Sequence, residues 1–321
     1  MKDKVISVCF SCDDGYVKHL SAVVASILFN ANADEFIKIY VITDGFSKEN
    51  KEKFECVFSL HKKSSVFYVK PNEELLKLCP SVDNAWFSIA TYYRLFIPEI
   101  IPEDRVIYLD CDTIVRSSLF DLYSKDFGDN LLLGVKDISE SGDKERLHLK
   151  KYLNAGVLLF NVSEMKKLNA VEKMFKFLSE NRNIIKKHDQ DILNCVFDGR
   201  TGYVEDVWNC QVRRKGASFF EKIENPRILH FISPKKPWTV WKPLSSTKWH
   251  REYFKYALMT EYKDLVYKYK RKSLLYFPLK LFYPSGWVKD VLNFIISFKN
   301  SKDKKYRIIT LLGIKFRIKK C

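Results

Sequence analysis

The chain has 321 residues, 46% of them hydrophobic and 15% aromatic, with 11 glycines, 10 prolines and a formal charge of +16. That length accommodates one α/β domain with an appendage, and that composition excludes a low-complexity or disordered chain. The charge is uneven: residues 268–321 hold 15 Lys and Arg against 2 acids, leaving 40 basic and 37 acidic residues before them.

In chain order, VISVCFSC (5–12) reads as a strand, the polar DDGY as a loop, and 17–30 as a helix. FIKIYVIT (36–43) is a second strand, SKENKEKFECVFS has helical spacing, and SSVFYV (64–69) is a third strand. A helix is expected over 88–97, then the strand-like VIYLDCDTIV (106–115), LLLGVKD and YLNAGVLLFN. A helix over 165–181, the loop KKHDQDILN with another helix behind it, and a last strand near ILHFIS (228–233) follow. Strands alternating with helices predict a mostly parallel sheet covered on both faces, whose buried strands read as continuous apolar runs. The sheet domain is expected over 1–255, with a basic, aromatic-rich region over 256–321.

Cys9 and Cys12 form a C-x-x-C with no second pair or His cluster nearby, so buried thiols are expected and not a zinc or redox site. MKDKVISVCF lacks the apolar core and small-residue cleavage site of a signal peptide. No run reaches the ~18 apolar residues that cross a bilayer. A cytoplasmic protein is therefore expected.

The informative stretch is VIYLDCDTIV. An unpaired buried carboxylate costs several kcal/mol, so packing alone would not put two in an apolar run. On a strand, residues two apart share a face, so Asp110 and Asp112 converge while Cys111 turns away. Such oxygen ligands suit Mn²⁺ or Mg²⁺. Two enzyme classes carry D-x-D after an apolar strand. Haloacid-dehalogenase-type phosphatases read D-x-D-x-T, but here Ile114 holds the fifth position and Thr113 comes one place early. Nucleotide-sugar glycosyltransferases use the pair to hold a metal against a diphosphate, and the position after three strand–helix units favours them.

Six segments in order, SCDDGYVKHLSAVVASI, SIATYYRLFIPEII, VIYLDCDTIV, YLNAGVLLFN, HDQDILN and HFISPKKPW, resemble glycosyltransferase family 8. The resemblance is to the retaining GT-A enzymes, its bacterial lipopolysaccharide galactosyl- and glucosyltransferases in particular. It implies a GT-A fold, a Rossmann-like, mostly parallel mixed sheet flanked by helices. It also implies transfer of galactose or glucose from a UDP-sugar to a cell-surface glycan, such as a lipopolysaccharide core on a lipid carrier.

The same resemblance assigns the residues. His230 joins Asp110 and Asp112 as third metal ligand, and Lys236 contacts the diphosphate. Asp13 meets the uracil and Tyr16 stacks on it, although Asp13 also suits a helix N-cap. Ser11 and Cys111 belong to the same UDP-sugar set. Arg94 touches the sugar or diphosphate, and Asn154 and Gly156 match the loop that reads sugar hydroxyls. Asp189 contacts donor hydroxyls and Gln190 sits beside the anomeric carbon, the two being the catalytic candidates. A glutamine amide is a poor nucleophile, which favours a front-face route over a covalent intermediate. Ser233 stands where the family commonly has glycine, and is strained there if that position needs a positive φ.

The tail mixes apolar and basic residues. Trp287, Val291, Leu292, Ile295 and Phe298 share one face of a predicted helix, expected to lie on an anionic membrane surface at the inner face of the cytoplasmic membrane. Nucleic acid is the competing partner for this charge, but no DNA- or RNA-binding module is visible and none is expected.

Overall fold

The computed structural model describes residues 4–80, 88–212, 223–234, 236–239, 248–267, 296–300, 306–311 and 314–319. A seven-stranded sheet has the order β3-β2-β1-β4-β7-β6-β8. Its strands are β1 (Lys4–Ser11), β2 (Glu35–Ile42), β3 (Ser64–Val69), β4 (Arg105–Leu109), β6 (Leu132–Lys136), β7 (Leu153–Asn161) and β8 (Thr201–Tyr203). The β1, β2, β3 and β4 neighbours pair in parallel, β7 runs antiparallel to both β4 and β6, and β8 is parallel to β6. The sheet is thus mostly parallel and mixed, as the resemblance implied, with its reversal at β7.

From β1 the chain steps outward to β2 and β3, then returns to place β4 on the other side of β1. In open α/β sheets the crevice beyond the carboxyl ends of such a switch is the ligand site. Asp13 follows β1 and Asp110 follows β4, so the topology alone brings the two motifs to one mouth.

A smaller sheet builds the floor: β5 (Thr113–Val115), β9 (Cys210–Gln211) and β10 (Ile228–His230), in the order β5-β10-β9. Its register sets His230 opposite Thr113 and beside Gln211. The last strand foreseen near 228–233 therefore belongs to this second sheet.

The helix Val17–Asn30 lies buried along most of its length. The helix Lys248–Ala257 spans the boundary expected at 255 and joins the sheet domain through buried Trp249, Tyr253 and Tyr256. Compact units cover 1–240 with 245–266, and 241–244 with 267–321. Within the second, β11 (Ile296–Asn300), β12 (Tyr306–Leu311) and β13 (Ile314–Lys319) form an antiparallel meander. Phe298 is thus in a strand, not on the expected helical face; ISFK and IKFRIK alternate at period two, a pattern the helical reading overlooked. Trp287, Val291, Leu292 and Ile295 lie outside the described residues.

The segment foreseen as a helix over 88–97 is a 3-10 helix, Ile89–Phe96, followed by a short α-helix, Ile97–Ile100. With three residues per turn, positions i and i+3 eclipse. That geometry puts Thr91 and Arg94 in one line, both aimed at Asp189. No helix among the described residues is long and apolar enough to cross a membrane.

Candidate active site

The two aspartates lie beyond the strand and not within it. The Asp110 N–H makes the last bond to β7, to the Gly156 carbonyl at 2.8 Å. The chain then turns, held by the Thr113 N–H and hydroxyl, which donate to the Asp110 carbonyl at 3.2 and 2.9 Å. Within this turn Cys111 is buried, its thiol donating to the Ser11 carbonyl at 3.4 Å.

His230 Nε2 lies 3.2 Å from Asp112 Oδ1 and 3.5 Å from Asp110 Oδ2. One ligand atom from each of the three lies within 4.8 Å of the others. Asp112 Oδ1 is buried and accepts no hydrogen bond among the described residues, which suits an oxygen that takes a cation. A hard divalent ion fits this set of two carboxylates and one imidazole.

Gly156 has a packing role beside the one its motif implied. A Cβ there would lie 2.1 Å from His230 Cε1 and 2.6 Å from Asp110 Oδ2. Its hydrogen leaves room for the ligand set itself.

Lys236 Nζ sits 2.5 Å from Asp112 Oδ2 and 2.6 Å from the Phe231 carbonyl. Burial pushes Asp112 up, but Lys236 and then His230 outweigh it and hold the carboxyl well below its ordinary range. Burial pushes His230 down, but the two carboxylates, Asp112 first, carry it to about 9.

Arg94, 7% exposed, bridges two halves of the site, with Nη2 2.9 Å from Asp110 Oδ1 and Nε 2.9 Å from Asp189 Oδ2. Its guanidinium lies 4.4 Å from the centre of the Tyr108 ring, and the Tyr108 hydroxyl donates to Asp110 Oδ1 at 3.0 Å. Asp189 lies in the helix His188–Val196 and also accepts from the Thr91 hydroxyl at 2.5 Å. Burial raises Asp189 despite Arg94 and Thr91. Gln190 Oε1 accepts from the Ala155 N–H at 2.9 Å, and Nε2 donates to Asp137 Oδ2 at 3.3 Å.

These side chains line one cavity of about 770 Å³. At the end beyond β1, Ser11, Asp13 and Tyr16 line it. Asp13 also caps the turn that follows, accepting from the Tyr16 N–H at 3.0 Å. Asn154 and Gly156 line it from β7, a strand and not the expected loop. Ser233 is not among the lining residues, and its φ is not positive, so the strain feared there does not arise.

Sequence reasoning passed over Asp137, Thr91, Tyr108 and Asn209. Asp137 ends LLLGVKD at a strand's carboxyl end, the one local signal available for it. Burial pushes Asp137 up, but bonds from Asn154 and Ser139 and the charge of Lys187 hold it below the ordinary range. Nothing in the sequence around Asn209 marks it.

The family model described as glycosyl transferase family 8 matches residues 7–242. The chain belongs to that family. Among its relatives is a lipopolysaccharide 1,2-glucosyltransferase of Escherichia coli, 28% identical, with 84% of each chain covered. General stress protein A of Bacillus subtilis is 28% identical over 82% of this chain and 97% of its own length. The crystal structure of galactosyltransferase LgtC with donor and acceptor sugar analogs superposes with a TM-score of 0.68 at 25% identity. It covers 80% of this chain and 96% of that one, and the shared fold is GT-A. Family 8 membership sets aside the phosphatase reading of D-x-D.

Proposed function

We propose that this family 8 enzyme is a metal-dependent, retaining transferase that moves a hexose, galactose or glucose, from UDP to a cell-surface glycan such as a lipopolysaccharide core. The observation that carries the reading is one cavity with two ends. At one, Asp110, Asp112 and His230 stand beside the Lys236 ammonium; at the other, Asp189 and Gln190 meet, with Arg94 tying the two together. Relatives named as lipopolysaccharide 1,3-galactosyltransferase (Salmonella typhimurium) and 1,2-glucosyltransferase support the acceptor class.

Breaking the sugar–phosphate bond builds charge on the departing diphosphate, where fixed cations lower the barrier most. Asp110, Asp112 and His230 would hold Mn²⁺ or Mg²⁺, which supplies Lewis-acid neutralisation of that charge. Lys236 adds a second, permanent cation on the same side. Asp13, Tyr16, Ser11 and Cys111 lie where the uridine would sit. Asn154 and Gly156 line the sugar pocket, and Ser233 belongs to the loop beside the diphosphate.

At the reacting carbon, Gln190 is held by the Ala155 N–H and by Asp137, so its amide is a fixed dipole beside the sugar. Asp189, 4% exposed and bound by Arg94 and Thr91, is fixed as a contact for donor hydroxyls. Both arrangements favour front-face transfer, in which the leaving phosphate oxygen takes the acceptor's proton. The enzyme works at the inner face of the cytoplasmic membrane, where its basic C-terminal stretch meets anionic lipid.

The test is incubation of the full chain with a panel of UDP-hexoses, Mn²⁺ and a lipopolysaccharide-core acceptor, followed by NMR of the product. One UDP-hexose giving an α-linked product is expected. No turnover of any UDP-sugar, or a β linkage, overturns the reading.

A further inference from the structure

We infer that Asn209 is a positioning residue that fixes the ring tautomer of His230, so that Nε2 presents its lone pair to the space between Asp110 and Asp112. The inference rests on the metal reading above and names the residue that makes His230 a competent ligand.

The hydrogen positions follow from a chain of contacts anchored at groups whose chemistry is fixed. Asp137 is a carboxylate and accepts. Asn154 Nδ2 lies 2.8 Å from Asp137 Oδ2, so the amide nitrogen of Asn154 faces that way. The backbone N–H of Gly156 can only donate, and it lies 3.1 Å from Asn154 Oδ1, which gives the same orientation independently. Asn154 Oδ1 therefore accepts from its other neighbour, Asn209 Nδ2, at 2.9 Å. This turns Asn209 Oδ1 toward His230 Nδ1, at 3.1 Å.

An amide oxygen can only accept, so Nδ1 carries the hydrogen. A cation entering the site displaces the second ring proton, and the neutral imidazole then keeps its one N–H at Nδ1 and leaves Nε2, the atom that faces the two aspartates, bare. Flipping Asn209 would set its oxygen against Asn154 Oδ1, losing the hydrogen bond between the two asparagines. Asn209 is 0% exposed and His230 3%, so solvent is not at hand to repair the loss. Metal-bound histidines generally donate their second nitrogen to such a partner, and removing it weakens metal affinity about 10–100-fold.

The relay also has a far end. Asp137, which starts it, is the same carboxylate that receives the Gln190 amide. One anion thus orients the ligand ring through two asparagines and the glutamine directly.

The experiment uses the full chain, with Mn²⁺ alone titrated by electron paramagnetic resonance and ¹⁵N-histidine NMR of the Mg²⁺-loaded protein. Asn209→Leu is expected to weaken Mn²⁺ binding about 10–100-fold. Asn209→Asp still accepts from Nδ1 but sets a carboxylate oxygen against Asn154 Oδ1, so it is expected to bind Mn²⁺ more tightly than the Leu variant and no more tightly than the wild type. In the wild type the His230 signal should show hydrogen on Nδ1 and none on Nε2. A folded Leu variant that binds Mn²⁺ like the wild type, or a proton found on Nε2, overturns the inference. If the Leu variant does not fold, the wild-type spectrum decides: a proton on Nε2 of the Mg²⁺-loaded protein counts against the relay. A wild type that binds no Mn²⁺ instead defeats the metal reading itself, and the relay with it.

Discussion

Lys236 Nζ and His230 Nε2 approach opposite oxygens of Asp112, the ammonium 2.5 Å from Oδ2 and the imidazole 3.2 Å from Oδ1. One carboxylate is therefore shared between a permanent cation and a metal ligand. On the function proposed above, Lys236 would repel a divalent ion in the site but attract the diphosphate that comes with it. Lys236→Ala should bind Mn²⁺ alone about tenfold more tightly, the scale of one charge-assisted hydrogen bond. The same variant should bind UDP about tenfold more weakly in saturating Mn²⁺. Calorimetric titration of each ligand measures both; equal losses for the two would contradict the opposed roles.

Gly156→Ala tests whether the ligand set needs that hydrogen. The new methyl would meet His230 at 2.1 Å and Asp110 at 2.6 Å, and both are fixed by other partners. A loss of about 1–3 kcal/mol in stability is expected from overpacking. Mn²⁺ binding should also fall sharply, read by thermal melting and metal titration on the same sample.

Arg94→Met removes the cation between two carboxylates. Asp189 is 4% exposed and would keep only the Thr91 hydroxyl among the partners described above. Losing one partner of a buried ion pair costs about 3–5 kcal/mol, so the melting temperature should drop well beyond that of a surface variant. A variant as stable as the parent would remove Arg94 from the structural role and leave only a ligand-binding one.

Acid stability should depend on His19. Its ring stacks on Trp238 with centroids 3.8 Å apart, and Nδ1 lies 2.7 Å from the Tyr253 hydroxyl. Burial, with the charge of Lys18, lowers its pKa from 6.5 to about 3. The unfolded chain therefore takes up a proton as pH falls through about 6.5, while the folded chain does not. Stability is fully present above that pH and declines below it, by up to ~1.4 kcal/mol per pH unit until the folded value is reached. Denaturant melts at pH 7 and 5 should show a steeper decline for the wild type than for His19→Phe. Parallel slopes would mean that His19 titrates normally.

Deleting residues 268–321 removes the 15 Lys and Arg of the tail. Co-sedimentation with vesicles containing anionic lipid should be lost, while neutral vesicles should bind neither form. Undiminished sedimentation of the shortened chain would assign membrane attachment elsewhere.

The alternation of strands and helices was legible because buried parallel strands announce themselves as apolar runs, and the β1/β4 crevice followed from that order. Asp110, Asp112 and His230 were legible through motif order. What local pattern could not show was the sheet reversal at β7, since an antiparallel strand buried on both faces reads like a parallel one. It also could not show that the 88–97 segment winds as a 3-10 helix, because its amphipathic pattern reads as that of an ordinary α-helix. Asn209 and Asp137 stayed hidden for a different reason: their partners are 55 and 17 residues away in sequence, and only tertiary contact reveals them.

The small sheet that seats His230 opposite Thr113 has a kinetic consequence. It joins positions 113 and 230 across more than a hundred residues, and its Phe231 N–H bonds to the Asp112 carbonyl at 2.9 Å. Closing so long a span is entropically unfavourable, so this corner is expected to form after the local contacts of the sheet domain. A cation held from both sides would act as a latch on that span, and the Phe231 amide is the place where slower deuterium uptake would register it.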